Sequence, residues 1–367
     1  MKKIIIFNAG SFIYGAERGL LNLVKTLSPR GEIIVILPRK GPLQNKLIDL
    51  HDNIRVKIFP LPIILNSISP FYYIGFMLHS MFNIVFFTFY ILYHNIDTVY
   101  TNSLLIPFPG IVATLTKRKH IWHLREFFSC QSLNTLLGSF IRKFARVIIC
   151  QSKTIARKLN LQDNAQIIYE PLDKYEYSPY DHLHLKETYH LPRDAIVVMI
   201  IARIHPLKGQ YEFIKKIKDL LQEMNNVFVI MVGDISPITL RNHLYKKKIE
   251  LFRERNHLEN VLLWGFKEEI DKMLSLSDIC VFPFRREEPF GIAVAEALAF
   301  GKPTFFPKVA GLKEVYQIFK KGEDFDAAHV IHAIRTYTPT SSQQPQQLDI
   351  PETLSLQTYK NNVRALL

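Results

Sequence analysis

The chain is poor in cysteine. Cys130, Cys150 and Cys280 are odd in number, far apart and without CxxC spacing. That excludes a disulfide framework and a thiolate zinc site, and it points to a reducing compartment. Acidic residues are scarce in the first half: residues 1–170 hold 8 Asp+Glu against 20 Lys+Arg, and the remainder 25 against 26. Nearly all of the formal net charge of +13 therefore sits in one half. Such a half suits an anionic partner, nucleic acid or an anionic membrane surface, or else a scattered solvated surface. Charge of either sign is missing altogether from Ile58 to Ile96. The start, MKKIIIFNAG, is interrupted too soon for a signal peptide and reads as a first strand with a basic lead-in.

What is present is a folded composition, 48% hydrophobic and 22% charged over 367 residues, enough for two domains. KKIIIFNAG is an apolar run ending in turn residues. In GAERGLLNLVKTL, Ala16, Leu20, Leu23, Val24 and Leu27 share one helical face, and EIIVILP follows as a second buried strand. Strand, small-residue loop, helix, strand is the unit of a parallel sheet. DTVYTNS, HIWHLRE and RVIICQS are further strand-like pieces ending in polar or small residues, where ligands of open α/β sheets gather. A second set begins near residue 195. AIVVMIIARIHPLKG reads as strand and loop, QYEFIKKIKDLLQEM as one helix, and NVFVIMVGD, VLLWGF, DICVFPF and KPTFFPKVAG continue the alternation. A polar, Pro-interrupted stretch near 170–180 is the expected hinge. TPTSSQQPQQ reads as a loop before a terminal amphipathic helix, LSLQTYKNNVRALL.

Inside the uncharged run, FYYIGFMLHSMFNIVFFTFYILY is 23 residues long, enough to span a bilayer. Spanning would put DTVYTNS across the membrane from the strands it should pair with. Two readings stay open: an apolar helix packed on the sheet, or one resting its apolar face in the membrane interface.

The candidate chemistry lies in two places. ARIHPLKG follows a strand directly, and Arg203 and Lys208 are two cations fit to neutralise a diphosphate, Arg by two-pronged contact and Lys as a point charge. Downstream, RREEPFGIAVAEALAFGKP is a loop entering an apolar helix. Backbone N–H groups around Phe290, Gly291 and Ile292 can meet anionic or hydroxyl oxygens, and Gly291 admits close approach. Glu288 can accept from sugar hydroxyls. Glu296, set among alanines, is costly unless paired or bound, and can accept from a ribose diol.

These residues carry a family resemblance. EPFGIAVAEALAFGKP resembles the glutamate-x7-glutamate motif of retaining GT-B glycosyltransferases of family 4, the glycosyl transferases group 1 type. GAERGLLNLVKTL looks like the family's first loop and helix, TNS and WHLRE like its middle motifs, and ARIHPLKG like its diphosphate loop, so the likeness covers nearly the whole chain. It implies two Rossmann-like domains facing across a cleft: an acceptor-side domain over 1–172, a nucleotide-sugar domain over 173–345, and a C-terminal helix over 346–367 crossing back to the first.

Carried over by residue, Arg203 and Lys208 hold the donor diphosphate, and Glu288 binds the transferred sugar with the backbone of Pro289, Phe290, Gly291 and Ile292. Glu296 binds the ribose, His123 sits by the sugar, and Gly10 to Gly15 face the phosphates and acceptor. Catalytic roles fall to His123, Arg203, Lys208 and Glu288, and donor contacts to Gly15 and the loop after Glu288. Two positions depart from the pattern: Ala202 stands before the Arg, and Ala310 stands where a second glycine is common, which bears on the loop near Glu314.

The implied activity is retaining transfer of a sugar from a UDP- or GDP-type donor to a glycan or lipid-linked acceptor in surface polysaccharide or glycolipid synthesis. The alternative is a catalytically silent protein binding a glycan or partner at the membrane. No cofactor or metal is expected, since no DxD-type cluster lies near the site and His120 with His123 lacks a third ligand. Peripheral contact with an anionic membrane at the cytoplasmic face is expected. Nucleic acid is not, because no nucleic-acid module is recognised.

Overall fold

The structure is a computed structural model describing residues 2–64, 70–172, 181–235, 240–338 and 349–366. The expected hinge and the Gln/Pro/Ser-rich loop fall largely outside these residues. The chain divides into two compact units, Met1–Glu170 with Leu356–Leu367, and Pro171–Ser355.

The first unit holds strands β1 (Lys2–Phe7), β2 (Gly31–Leu37), β3 (Ile54–Ile58), β4 (Thr98–Thr101), β5 (Lys119–Leu124), β6 (Val147–Cys150) and β7 (Ala165–Ile167). Its helices are α1 (Gly15–Leu27), α2 (Pro42–Ile48), α3 (Pro70–Tyr93), α4 (Phe108–Leu115), α5 (Gln131–Phe144) and α6 (Lys153–Lys158). The second unit holds β8 (Ile196–Ile201), β9 (Val227–Val232), β10 (Val261–Gly265), β11 (Ile279–Val281), β12 (Thr304–Phe306) and β13 (Glu323–Asp324). Around them lie α7 (His182–Thr188), α8 (Gln210–Lys216), α9 (Lys218–Glu223), α10 (Leu240–Arg255), α11 (Ile270–Leu276), α12 (Ile292–Ala299), α13 (Ala310–Phe319) and α14 (Ala327–Thr336). The last helix, α15 (Leu356–Arg364), belongs to the first unit.

Among the described residues each unit is built on one parallel sheet, ordered β3-β2-β1-β4-β5-β6-β7 and β10-β9-β8-β11-β12-β13. Both are α/β doubly wound layers, as the alternation of apolar runs and helical stretches implies. Strand order reverses between β1 and β4, and between β8 and β11. At such switch points neighbouring loops leave in opposite directions and open a crevice at the carboxyl ends of the strands. The one long helix expected over QYEFIKKIKDLLQEM is two, α8 and α9, broken at Ile217. The β-branched inward faces of β1, β2, β8 and β9 form the cores under these edges.

The first core contains a buried ion pair. Arg125 Nη1 donates to Glu170, and each side chain is 1% exposed. Arg125 Nε donates to Asn102 Oδ1 (2.8 Å), and Asn102 Nδ2 to Asn8 Oδ1 (2.8 Å), tying the ends of β1, β4 and β5 together. Burial, then the Glu170 carboxylate, pushes the Tyr359 phenol of α15 well above its ordinary range, so it stays neutral beside the pair. With Val363 and Leu366, Tyr359 completes the apolar cluster under α1. Room for the ion pair comes from Gly19 inside α1, where a Cβ would overlap both the guanidinium and the carboxylate.

Helix propensity alone makes Gly19→Ala stabilising by about 1 kcal/mol. The overlap reverses the sign, so urea melts should show Gly19→Ala less stable than the wild type. Glu170→Gln, which strands a buried guanidinium, should cost about 3–5 kcal/mol. A more stable Gly19→Ala protein would contradict this account of the core.

Candidate functional site

In the second unit the loops leaving β8 and β11 meet at the switch point. After Ile201 the chain passes Arg203 and buried Ile204 into a one-turn 3-10 helix, Pro206–Lys208. His205 caps that turn, its Nδ1 accepting from the Leu207 N–H at 3.1 Å. Gly209 is left-handed (φ +72°), and a Cβ there would overlap the Pro283 carbonyl oxygen of the other loop. Only glycine meets both conditions. The Arg285 N–H donates to the Leu207 carbonyl (2.9 Å), and Gln210 Nε2 donates to the Arg203 carbonyl (2.8 Å). The two loops are thus fastened backbone to backbone.

That fastening places Lys208 Nζ 2.8 Å from Glu288 Oε1 and 4.1 Å from the Phe284 ring centre. Burial lowers the Lys208 pKa; Glu288 opposes the shift, and Arg203 adds to it. Glu288 is fixed from its other side by the Gly311 N–H, which donates to its carbonyl at 3.0 Å. Gly311 has no room for a Cβ, because the Pro289 and Glu288 carbonyls lie against it. Gly291 is left-handed (φ +95°) with the Leu312 methyl where a Cβ would go. Phe290 plugs the core at 1% exposure. Beyond it α12 starts at Ile292, and the first N–H groups of a helix have no intrahelical carbonyl. Glu296, 2% exposed, lies one turn along on the same helix.

Ala310 adopts φ +46°, a left-handed conformation that costs a non-glycine residue about 1 kcal/mol. This is the position where the resemblance expects glycine, and the backbone keeps the glycine-like conformation without it. Glu314 stays buried on α13.

Sequence reading left the roles of Arg285 and Arg286 open, between plain surface charge and a part in sugar choice, and did not single out Glu212, Tyr245, His205 or Arg241. Arg285 Nη1 donates to Glu212 Oε1 (2.8 Å), and Tyr245 OH donates to Glu212 Oε2 (2.9 Å), so Arg285 braces the loop from outside. Burial lowers the His205 pKa to about 4, with Arg203, Arg241, Lys208 and Arg286 adding to the shift. Those four side chains make one cationic field, of which sequence spacing pointed to two. The ARIHPLKG–EPFG pairing was legible because both motifs close strands. Arg241, which opens a distant helix, carries no local signal.

The first unit holds the remaining expected residues. His123, on β5, is fully buried rather than lining an open surface. Its Nδ1 accepts from Tyr100 OH at 2.9 Å and lies 3.4 Å from Arg125 Nη2. Two donors on Nδ1 leave the proton on Nε2, and that atom has no hydrogen-bond partner. Burial first, then the Arg125 charge, keeps the imidazole pKa well below its ordinary value, so the ring is neutral and offers one N–H. His120 is occupied by Thr101 Oγ1 and the Phe144 carbonyl, each at 2.9 Å. Gly15 is the exposed first residue of α1, and the loop before it is held by Asn8 Nδ2 donating to the Gly10 carbonyl (2.8 Å). Among the described residues no cluster of three His, Cys, Asp or Glu is placed to hold a metal ion.

Comparison with known proteins bears on the fold and the family likeness of the chain. Residues 184–335 match the family Glycosyl transferases group 1. The chain is similar to the lipopolysaccharide 1,2-N-acetylglucosaminetransferase of Salmonella typhimurium, 25% identical over 39% of this chain and 37% of that protein. It is also similar to the N-acetyl-alpha-D-glucosaminyl L-malate synthase of Bacillus anthracis, 24% identical over 41% of this chain and 38% of that one. These matches span under two fifths of the relatives' own length. Along its whole length the chain has the fold of Anabaena HepE, solved in complex with UDP and glucose (TM-score 0.79, 22% identity, 100% of this chain and 99% of that one). It also has the fold of WaaG, a glycosyltransferase involved in lipopolysaccharide biosynthesis (TM-score 0.63, 13% identity, 99% and 94%). The match to Glycosyl transferases group 1 lies within the second unit, and the whole chain has the two-unit GT-B fold.

Burial is the main cause of the low His205 pKa; an anion entering the four-cation field offsets the part that the cations add, and the pKa should rise by that part. Inorganic pyrophosphate titrated against the protein should move the His205 imidazole NMR pKa from about 4 toward the ordinary 6.5, with His205→Gln assigning the signal. A pKa that does not move at saturating pyrophosphate would mean these cations share no anion site.

Proposed function

We propose that this GT-B protein is a glycosyltransferase. It moves a sugar from a UDP- or GDP-type donor to a glycan or lipid-linked acceptor in surface polysaccharide or glycolipid synthesis, with retention at the anomeric carbon. The observation that carries the reading is the convergence of Arg203, Lys208, Glu288 and the start of α12 on one switch point, with Lys208 and Glu288 in contact at 2.8 Å. A cation for the diphosphate and a carboxylate for the sugar stand side by side, as they must where a sugar joins a phosphate.

In this mechanism the bond from the anomeric carbon to the diphosphate oxygen breaks, and a bond to the acceptor oxygen forms on the same face. The acceptor proton passes to the departing phosphate oxygen, so no separate carboxylate base is required. What the site supplies is stabilisation of the charge growing on the diphosphate, by Arg203, Lys208 and the first amides of α12. Arg241 and Arg286 strengthen the same field. With this much fixed positive charge, we propose that no metal takes part. Glu288 accepts from sugar hydroxyls beside the backbone of Pro289, Phe290 and Gly291, while Glu296 accepts from the ribose diol. His123, neutral and fully buried in the first unit, is left out of the donor contacts. We place the protein peripherally, at the cytoplasmic face of the membrane.

Both curated relatives are named for N-acetylglucosaminyl chemistry, so donor assays begin with UDP-N-acetylglucosamine and then cover UDP-glucose and GDP-sugars. Lys208→Ala and Glu288→Ala should each lower kcat/KM for transfer or donor hydrolysis by about 10²–10³. Proton NMR of the product should show the donor's anomeric configuration. Unchanged turnover in both variants would remove the site assignment, and an inverted product would remove the retaining mechanism.

A further inference from the structure

The uncharged run of the first unit resolves into a helix with its polarity reversed. Of the two sequence readings, burial against the sheet fails for most of α3. Only a narrow line, with Phe87 and Ile91 fully buried, meets the core; Phe87 packs edge-on against Phe7 at 4.8 Å. Twelve of the twenty exposed large hydrophobic residues described in the chain lie on α3, with Phe71 and Tyr93 at its two ends each 83% exposed. Its polar groups face the other way. Asn83 is fully buried, the Ser80 and Thr88 hydroxyl oxygens are shielded from water, and His79 Nε2 reaches back to the Pro60 carbonyl at 3.2 Å. A helix facing water turns hydroxyls and amides outward and hydrocarbon inward. This one does the opposite, as a helix facing lipid does.

The surroundings of α3 are basic. Lys57 Nζ lies 5.2 Å from the Tyr90 ring centre, and Lys3 Nζ donates to the His94 carbonyl just past the helix end (3.3 Å). Arg55 is exposed two residues from Lys57 on edge strand β3. The amino-terminal edge of the sheet, where Lys3 lies, also carries Lys2, Lys119 and Arg146, close enough that Lys2 and Arg146 add to the lowering of the Lys119 pKa that burial begins. Glu32 and Asp97 are interleaved there, and exposed Asp52 precedes β3. Two copies meeting through α3 would bring two such basic margins together, whereas an anionic lipid surface neutralises them at about 1 kcal/mol per cation. Exposed Phe, Tyr, Met and Leu side chains also suit the boundary between headgroups and acyl chains. At the other end the chain entering α3 is tied to the loop after β4, the Ile64 N–H donating to the Leu105 carbonyl at 2.8 Å. Whatever α3 rests on is therefore held close to the carboxyl edge of the first sheet.

We propose that the outer face of α3 is a docking surface for an anionic lipid bilayer. The helix lies in the plane of the interface, with Lys57 and the basic sheet edge reaching the headgroups. This deepens the peripheral placement proposed above by assigning it to one element. It stands on the geometry of α3, not on glycosyl transfer, so the two can fail separately.

The test is flotation of the full chain with phosphatidylcholine vesicles, with and without phosphatidylglycerol, at low and high salt. Met77, Met81 and Phe89 are more than half exposed, so the combined variant M77E/M81E/F89E is expected to fold. It should lose vesicle binding by about tenfold or more, while its thermal shift with UDP-N-acetylglucosamine stays that of the wild type. Lys57→Glu, which leaves the apolar face intact, should weaken binding to phosphatidylglycerol vesicles selectively. The proposal is overturned if wild-type protein ignores phosphatidylglycerol vesicles at low salt, or if the triple variant floats as well as the wild type. It is equally overturned by a dimer seen in light scattering that the triple variant dissolves without any vesicle binding. Vesicle binding with no response to any nucleotide-sugar would remove the glycosyltransferase reading and leave this one standing.

Discussion

Close approach of two backbones at the carboxyl ends of β8 and β11 is the constraint on which the candidate site depends. Gly209 lies so near the Pro283 carbonyl that no side chain fits, and the Arg285 N–H to Leu207 carbonyl bond closes the seam. Lys208 and Glu288 are the residues this seam carries to its edge. Gly311 repeats the device on the far side, bringing α13 against the Glu288–Pro289 carbonyls. Three neighbouring loops are thereby fixed by main-chain contacts, and the charged side chains need little ordering when a ligand arrives. Preorganisation of this kind lets fixed charge act on a growing negative charge without reorganisation at the moment of reaction.

The first unit solves a different problem with a buried ion pair. Arg125 and Glu170 are both withdrawn from water, an arrangement that holds only when the remaining donors and acceptors are satisfied. Asn102 on Arg125 and Asn22 on Glu170 supply the further partners, Asn8 in turn holds Asn102, and Gly19 supplies the space. The same network reaches His123 through Tyr100 and Arg125, which fixes its tautomer and its charge. A histidine that is read as sugar-facing is thus set by groups that serve the core. The last helix, α15, enters this arrangement by laying Tyr359 beside the ion pair, so both ends of the chain contribute to one core.

Much of the fold was legible because parallel strands buried on both faces read as unbroken apolar runs, and each was followed by a helical period. ARIHPLKG and EPFG were legible because a basic or acidic loop at a strand end has few structural reasons to exist. What stayed hidden depends on distance in space. Gly19 looks like an ordinary helical glycine until Arg125 is seen above it. Arg285 has no assignable role in the sequence until Glu212 is seen beside it. The short strands β7 and β13 are edge strands of three and two residues, with no run long enough to show a period. The exposure of α3 was undecidable from composition, since an uncharged helix reads alike whether protein or lipid covers it. Only the inward turn of Asn83, Ser80 and Thr88 separates the cases.

The claim at the centre of this account is that Arg203, Lys208, Glu288 and α12 form one nucleotide-sugar site. A thermal-shift titration with UDP-sugars, GDP-sugars and the corresponding monophosphates tests it most directly, because a ligand that binds only the folded chain raises Tm as its concentration exceeds Kd. The account predicts that one diphosphate sugar stabilises the wild type by about 2.7 kcal/mol at a hundredfold excess over Kd. It also predicts that the monophosphate does much less, and that Lys208→Ala removes most of the gain. A shift that is equal for mono- and diphosphates, or that survives Lys208→Ala undiminished, would contradict it.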